Sequence, residues 1–158
     1  MIIKYKKENI LESKVEALVN PVNCVGVMGA GLAKQFKKKF PNMFNHYRTI
    51  CFNKSLNIGK IDYYKEADKI IFNFPTKIHW KDKSLIEYID KGLNALISII
   101  EELDIKSVAV PMLGCGLGGL NKQIVHTLIV NKFTNEFRRK NLLIEIYEKT
   151  QRRRLCGC

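Results

Sequence analysis

Two glycine-rich segments, VNPVNCVGVMGAGLAKQF (Val19 to Phe36) and VAVPMLGCGLGGLNKQIV (Val108 to Val125), each stand where an apolar run gives way to a helical pattern. Glycine lets a backbone approach a ligand closely, and the following helix N-terminus offers unpaired N–H groups and a positive dipole end. Each loop is therefore a candidate phosphate cradle, and the pair predicts a diphosphate. Neither segment has the spacing of a dinucleotide fingerprint or the Gly-Lys-Ser/Thr ending of a Walker loop. For the second loop, with Gly114, Gly116, Gly118 and Gly119, the competing reading is plain chain reversal.

Four apolar runs, Ala17 to Val22, Ile70 to Phe74, Ser107 to Pro111 and Leu142 to Tyr147, are short, rich in Val, Ile and Phe, and bounded by turn residues, as buried strands are. Ile2 to Tyr5 and Lys60 to Tyr64 are weaker strand candidates. Helical patterns fall between them at Gly31 to Phe40, stopped by Pro41, and at Met43 to Phe52. Two more run from Ser84 to Leu103, with an apolar face of Leu85, Ile89, Leu93, Leu96 and Ile100, and from Asn121 to Lys140. The alternation predicts an α/β protein with a three-layer α/β/α arrangement. Ser84 reads as an N-cap with Glu87 completing a capping box. The preceding Pro75 to Lys83 is then a loop leaving the C-terminal end of a strand, where α/β sheets place ligands. Residues 1–149 are expected to form one domain, and the basic end TQRRRLCGC (150–158) to fray.

Composition narrows the function classes. Hydrophobic content of 46% with 27% charge is ordinary for a globular domain of 158 residues. No apolar run approaches the roughly 18 residues of a membrane span, and MIIKYKKENI lacks the apolar stretch and cleavage site of a signal peptide. A cytoplasmic protein without a membrane partner is expected. Five scattered cysteines favour reduced thiols over disulfides or structural zinc, and isolated His46, His79 and His126 predict no metal. Cys24 and Cys115 lie in the two loops but have no acidic or histidine partner at a recognisable offset, so cysteine catalysis is not expected. A net charge of +12 suits a polyanionic partner, nucleic acid foremost, or else a solvated Lys-rich surface.

The segments ALVNPVNCVGVMGAGLAKQFKKKFP, IIFNFPTKIHW and VAVPMLGCGLGGL together resemble the macro domain, most closely that of DarG-type antitoxins. The resemblance implies a mixed central sheet sandwiched by helices, with a cleft for ADP-ribose. It also implies a cofactor-free hydrolase that removes ADP-ribose from DNA bases, thymidine being the best match, and so reverses a cognate toxin. Related branches act on ADP-ribosylated Glu or Asp of proteins or on O-acetyl-ADP-ribose, and others bind ADP-ribose without turnover. A monomer is expected.

Carried over by motif, Asn9 and Ile10 stand where the family holds adenine, and Tyr147 where it often supplies an aromatic. Asn23 matches the asparagine facing the distal ribose. Gly26, Val27, Met28 and Gly29 match the first loop; Gly114, Cys115, Gly116, Leu117 and Gly118 match the loop that wraps the diphosphate. Lys77 matches the catalytic lysine, flanked on the substrate side by Thr76, His79 and Trp80, the last two placed to border the scissile bond or stack a base. The protein-directed branch has an aspartate where this chain has Gly118, which turns the expectation toward DNA.

Cleaving a glycosidic bond needs support for an electron-poor ribose, a proton for the leaving group and a nucleophile. A neutral Lys77 could attack the sugar and form a transient adduct; a protonated one could assist the departing base. Asn23 is expected to orient the ribose hydroxyls or a water, with the loops holding the ribose in place.

Overall fold

A computed structural model describes residues 1–148; the basic tail expected at 150–158 lies outside the described residues. The strands are β1 (Ile2–Lys6), β2 (Ala17–Val22), β3 (Asp62–Glu66), β4 (Lys69–Pro75), β5 (Ser107–Pro111) and β6 (Leu143–Tyr147). They form one sheet in the order β1-β6-β5-β2-β4-β3, parallel throughout except for β3, which runs antiparallel on β4. The helices are α1 (Gly31–Lys39), α2 (Pro41–Phe52), α3 (Ile86–Glu102) and α4 (Lys122–Phe137), with a short 3-10 turn at Ile10–Glu12.

Strand side chains alternate between faces, and the alternation sorts the helices into layers. Ala17, Val19, Phe72, Phe74, Val108, Val110, Ile144 and Ile146 pack against α3 and α4. Leu18, Val22, Ile71, Ala109 and Tyr147 pack against α1, α2 and the 3-10 turn through residues such as Phe36, Met43 and Tyr47. The result is the α/β/α sandwich with a mixed sheet.

Boundaries shift by a few residues, and one shift has a clear cause. Ser84 does not cap α3. Leu85 occupies the cap position without a side-chain hydrogen bond, because Ser84 is turned inward beneath the second glycine loop and its N–H donates to Gly118 O at 3.0 Å. Leu85 is 49% exposed, so the buried stripe of α3 begins at Ile89. Pro41 ends α1 and also opens α2 at its first turn, a position that tolerates a missing N–H. Asn121 caps α4 with its Oδ1 accepting from Ile124 N at 3.2 Å.

Because β1, β2, β4, β5 and β6 are parallel, their C-terminal ends share one edge. The sheet order sets the sequence of groups along it: Asn9 and Ile10 after β1, Tyr147 at the end of β6, the second glycine loop after β5, the first after β2, and Thr76 to Trp80 after β4. Phe74, just before that last loop, is seated on α3 at Gly92, where an added Cβ would lie 2.3 Å from the ring. Glycine inside a helix costs about 1 kcal/mol relative to alanine, but overpacking a closed core costs about 1–3 kcal/mol. Gly92→Ala should therefore fail to stabilise the protein and should lower its stability by up to about 2 kcal/mol in urea unfolding, against the gain that helix propensity alone predicts.

Candidate active site

The first loop is shaped from within by Asn23. Its Oδ1 accepts from Val25 N at 3.0 Å and Val27 N at 3.4 Å, and its Nδ2 donates to Val27 O at 2.7 Å. Tyr47 on α2 brings its hydroxyl within 2.8 Å of both Asn23 O and Asn23 Oδ1, donating to one at a time. Met28 drops into the core beside Asn20, while Val27 stays exposed. Asn23 is only 7% exposed, so the expected contact between its amide and a ribose narrows to the one remaining Nδ2 hydrogen. The bonds it makes here hold the loop. Tyr47 was not legible as a site residue, since an aromatic on a buried helix face carries no signal of function.

The loop after β4 is stitched to the first one. Thr76, buried, extends the β2–β4 ladder by donating its N–H to Val22 O at 2.9 Å, and Cys24 N donates to Ile78 O at 2.8 Å. These bonds place Lys77 beside Asn23 and Cys24, whose Sγ lies 3.7 Å from Lys77 O. Lys77 Nζ reaches Trp80 O at 3.4 Å. The ammonium is disfavoured by burial first and then by the Lys83 ammonium, with Asp82 opposing, so its pKa falls below the ordinary lysine range.

His79 is tied into the turn. Its ring Nδ1 accepts from Lys81 N at 3.1 Å, its N–H donates to Asp82 Oδ2 at 3.1 Å, and its carbonyl accepts from Asp82 N at 3.0 Å. These bonds fix the turn that displays Trp80, and they engage only Nδ1 of the ring, leaving Nε2 without a partner among the described residues. Lys83 and Asp82 escaped the motif reading because the charge run KDK looks like ordinary solvated surface.

The second loop folds on itself through Leu120 N to Gly114 O at 2.9 Å and Gly119 N to Gly116 O at 3.2 Å. Gly114 has φ +74°, a backbone that favours glycine. Leu117 stands 70% exposed at the tip and Cys115 is half-buried. Gly118 is required for space: a Cβ there would lie 2.3 Å from Ser84 Oγ and 2.6 Å from Gly114 O. Ser84 Oγ is itself buried without a hydrogen-bond partner among the described residues. Lys83 lies along the same loop, its Nζ 3.7 Å from where a Gly119 Cβ would stand.

Burial pushes the thiols of Cys24 and Cys115 up to about 11, away from nucleophile chemistry. At the other end of the edge, Asn9 Oδ1 caps the 3-10 turn through Leu11 N at 3.0 Å, and Ile10 is buried. Tyr147 is buried too, its hydroxyl donating to Glu145 Oε1 at 3.0 Å beside Ser13, whose Oγ donates to the same oxygen at 2.6 Å. His46 pairs with Asp62 and His126 with Tyr5. No helix among the described residues is long and apolar enough to cross a membrane.

The macro domain profile matches residues 19–129, which include both glycine loops and the Lys77 loop. The chain belongs to the macro domain family. This macro domain is 47% identical over 136 residues to the DNA ADP-ribosyl glycohydrolase of Mycobacterium tuberculosis, covering 84% of the chain and 39% of that protein. It is 46% identical over 123 residues to the Thermus aquaticus protein of the same name, covering 75% of the chain and 34% of the relative. The chain thus spans about two-fifths or less of the length of these relatives. The solved macrodomain of M. tuberculosis DarG superposes with a TM-score of 0.89 at 44% identity, covering 94% of this chain and 99% of that one. Thermosipho africanus DarTG, solved in complex with ADP-ribose, superposes at 0.84 with 35% identity, covering 92% and 41%.

Gly118→Ala should cost about 1–3 kcal/mol in urea unfolding, because the added methyl has nowhere to go. Adding Ser84→Gly should recover only part of the loss, since the Gly114 carbonyl still blocks the methyl. A Gly118→Ala protein as stable as the parent would refute the steric account.

Proposed function

We propose that this macro domain is a metal-independent hydrolase that removes ADP-ribose from modified DNA bases, thymidine-linked adducts above all. The observation that carries the reading is the placing of Lys77: a partly desolvated amine stitched to the first glycine loop, at the far end of an edge whose middle offers two phosphate cradles. With adenine near Asn9, Ile10 and Tyr147 and the diphosphate between Gly26 to Gly29 and Gly114 to Gly118, the distal ribose falls beside Lys77. The names of the Mycobacterium and Thermus relatives support the same activity. Gly118 supports DNA over protein as substrate, because with Ser84 beneath it the position has no room for the aspartate of the protein-directed branch.

Both causes of the lowered Lys77 pKa favour the uncharged amine. That amine attacks the anomeric carbon; the N–C1 bond to lysine forms as the bond to the base breaks, and the base leaves with the electron pair and takes up the proton that lysine sheds. Water then attacks the same carbon; its oxygen bonds to C1 as the N–C1 bond breaks, the electron pair and a water proton go to the lysine nitrogen, and ADP-ribose leaves with the free amine restored. A toxin that writes the same mark is the partner that this chemistry calls for, and in the Thermosipho africanus relative transferase and glycohydrolase are named as one fusion protein.

Lys77→Ala should lower turnover of an ADP-ribosylated thymidine oligonucleotide on the order of a thousandfold while ADP-ribose affinity stays near that of the parent. Unchanged turnover would remove Lys77 from the mechanism, and release of ADP-ribose only from a glutamate-linked peptide would reverse the substrate assignment. In the parent, log kcat should rise with pH as Lys77 deprotonates. Lys83→Gln removes a like charge, raises the Lys77 pKa and should move that rising limb to higher pH. A rate that falls with pH over the same range would mean an acid role for lysine.

A further inference from the structure

Trp80 is the only tryptophan in the chain and stands 50% exposed beside Lys77, next to an equally exposed Ile78. Its display is built rather than incidental. The turn beneath it is closed by the His79 and Asp82 hydrogen bonds already described, and the His79 ring backs the indole at 5.2 Å between centroids with the planes 33° apart. Lys81 Nζ sits 5.0 Å from the indole centroid. A supported aromatic face with an ammonium over it matches a nucleotide, whose base takes the ammonium's place on the ring and whose phosphate takes the cation.

We propose that Trp80 is a stacking platform for the nucleobase adjacent to the modified one in an unpaired DNA strand, with Lys81 pairing to the linking phosphate. The proposal rests on the DNA-directed reading and extends it to a neighbouring subsite. In a duplex both faces of an interior base are covered by its neighbours, so the platform selects a strand whose bases can splay. Chain-wide charge of +12 adds a non-specific pull on the same partner.

Because Trp80 is the single tryptophan, its emission reports the contact directly. Titrating the full chain with unmodified oligothymidylate of about ten nucleotides should quench the emission, less so as salt rises. The matching duplex and a polyglutamate peptide should leave the emission nearly unchanged. No quenching by the single strand, or equal quenching by duplex or peptide, overturns the platform. In turnover, Trp80→Ala should raise KM for the ADP-ribosylated oligonucleotide about tenfold, and KM for ADP-ribosylated thymidine nucleoside clearly less, with Trp80→Phe recovering most of the difference. An equal rise for both substrates also overturns it. Absence of turnover on both by the unaltered protein would strike the DNA-hydrolase reading, while the emission result would still decide the platform.

Discussion

Two backbone hydrogen bonds carry the site: Thr76 N to Val22 O and Cys24 N to Ile78 O. They continue the β2–β4 pairing past the end of the regular ladder and join two loops that chain connectivity keeps some fifty residues apart. Each such bond contributes only about 1 kcal/mol net. Their value is positional, since without them the first loop and the Lys77 loop would be independent surface segments. With them, Asn23 and Lys77 belong to one rigid edge, and Phe74, seated on Gly92, anchors that edge in the core.

The second glycine loop is fixed by a different device. Ser84 leaves the helix it would ordinarily cap and goes under the loop, its N–H holding Gly118 O and its hydroxyl filling the space where a side chain at 118 would stand. A helix start without a cap and a buried hydroxyl without a partner are both local costs. They are compensated by a loop whose path is dictated from below, which is how a flexible glycine-rich segment comes to have one shape. The same contact leaves no room for a side chain at position 118, so the shape of the loop depends on this pair of residues.

Much of this was legible in the residues. Buried strands read well because they are short, β-branched runs between turn residues, and the glycine loops because strand, glycine cluster and helix follow one another in both. The Ser84 cap failed for a physical reason: Ser-x-x-Glu before an apolar run is a local pattern, and a long-range bond to Gly118 outcompeted it. Tyr47 left no trace in sequence, because its role depends on α2 crossing behind the first loop. The part His79 plays in its own turn is not visible in sequence, because the Nδ1 bond to Lys81 N depends on the backbone path of the loop. Lys83 was hidden in a charge run, and only the fold brings it against both Lys77 and the second loop.

An ADP-ribose spanning the two loops should deliver its terminal ribose to Lys77. A crystal structure of this chain with ADP-ribose bound tests it. The diphosphate should lie between residues 26–29 and 114–118, with the anomeric carbon of the distal ribose within roughly 3–4 Å of Lys77 Nζ, near attack distance. A ligand seated in the loops with that amine turned into bulk solvent, away from the sugar, would contradict it.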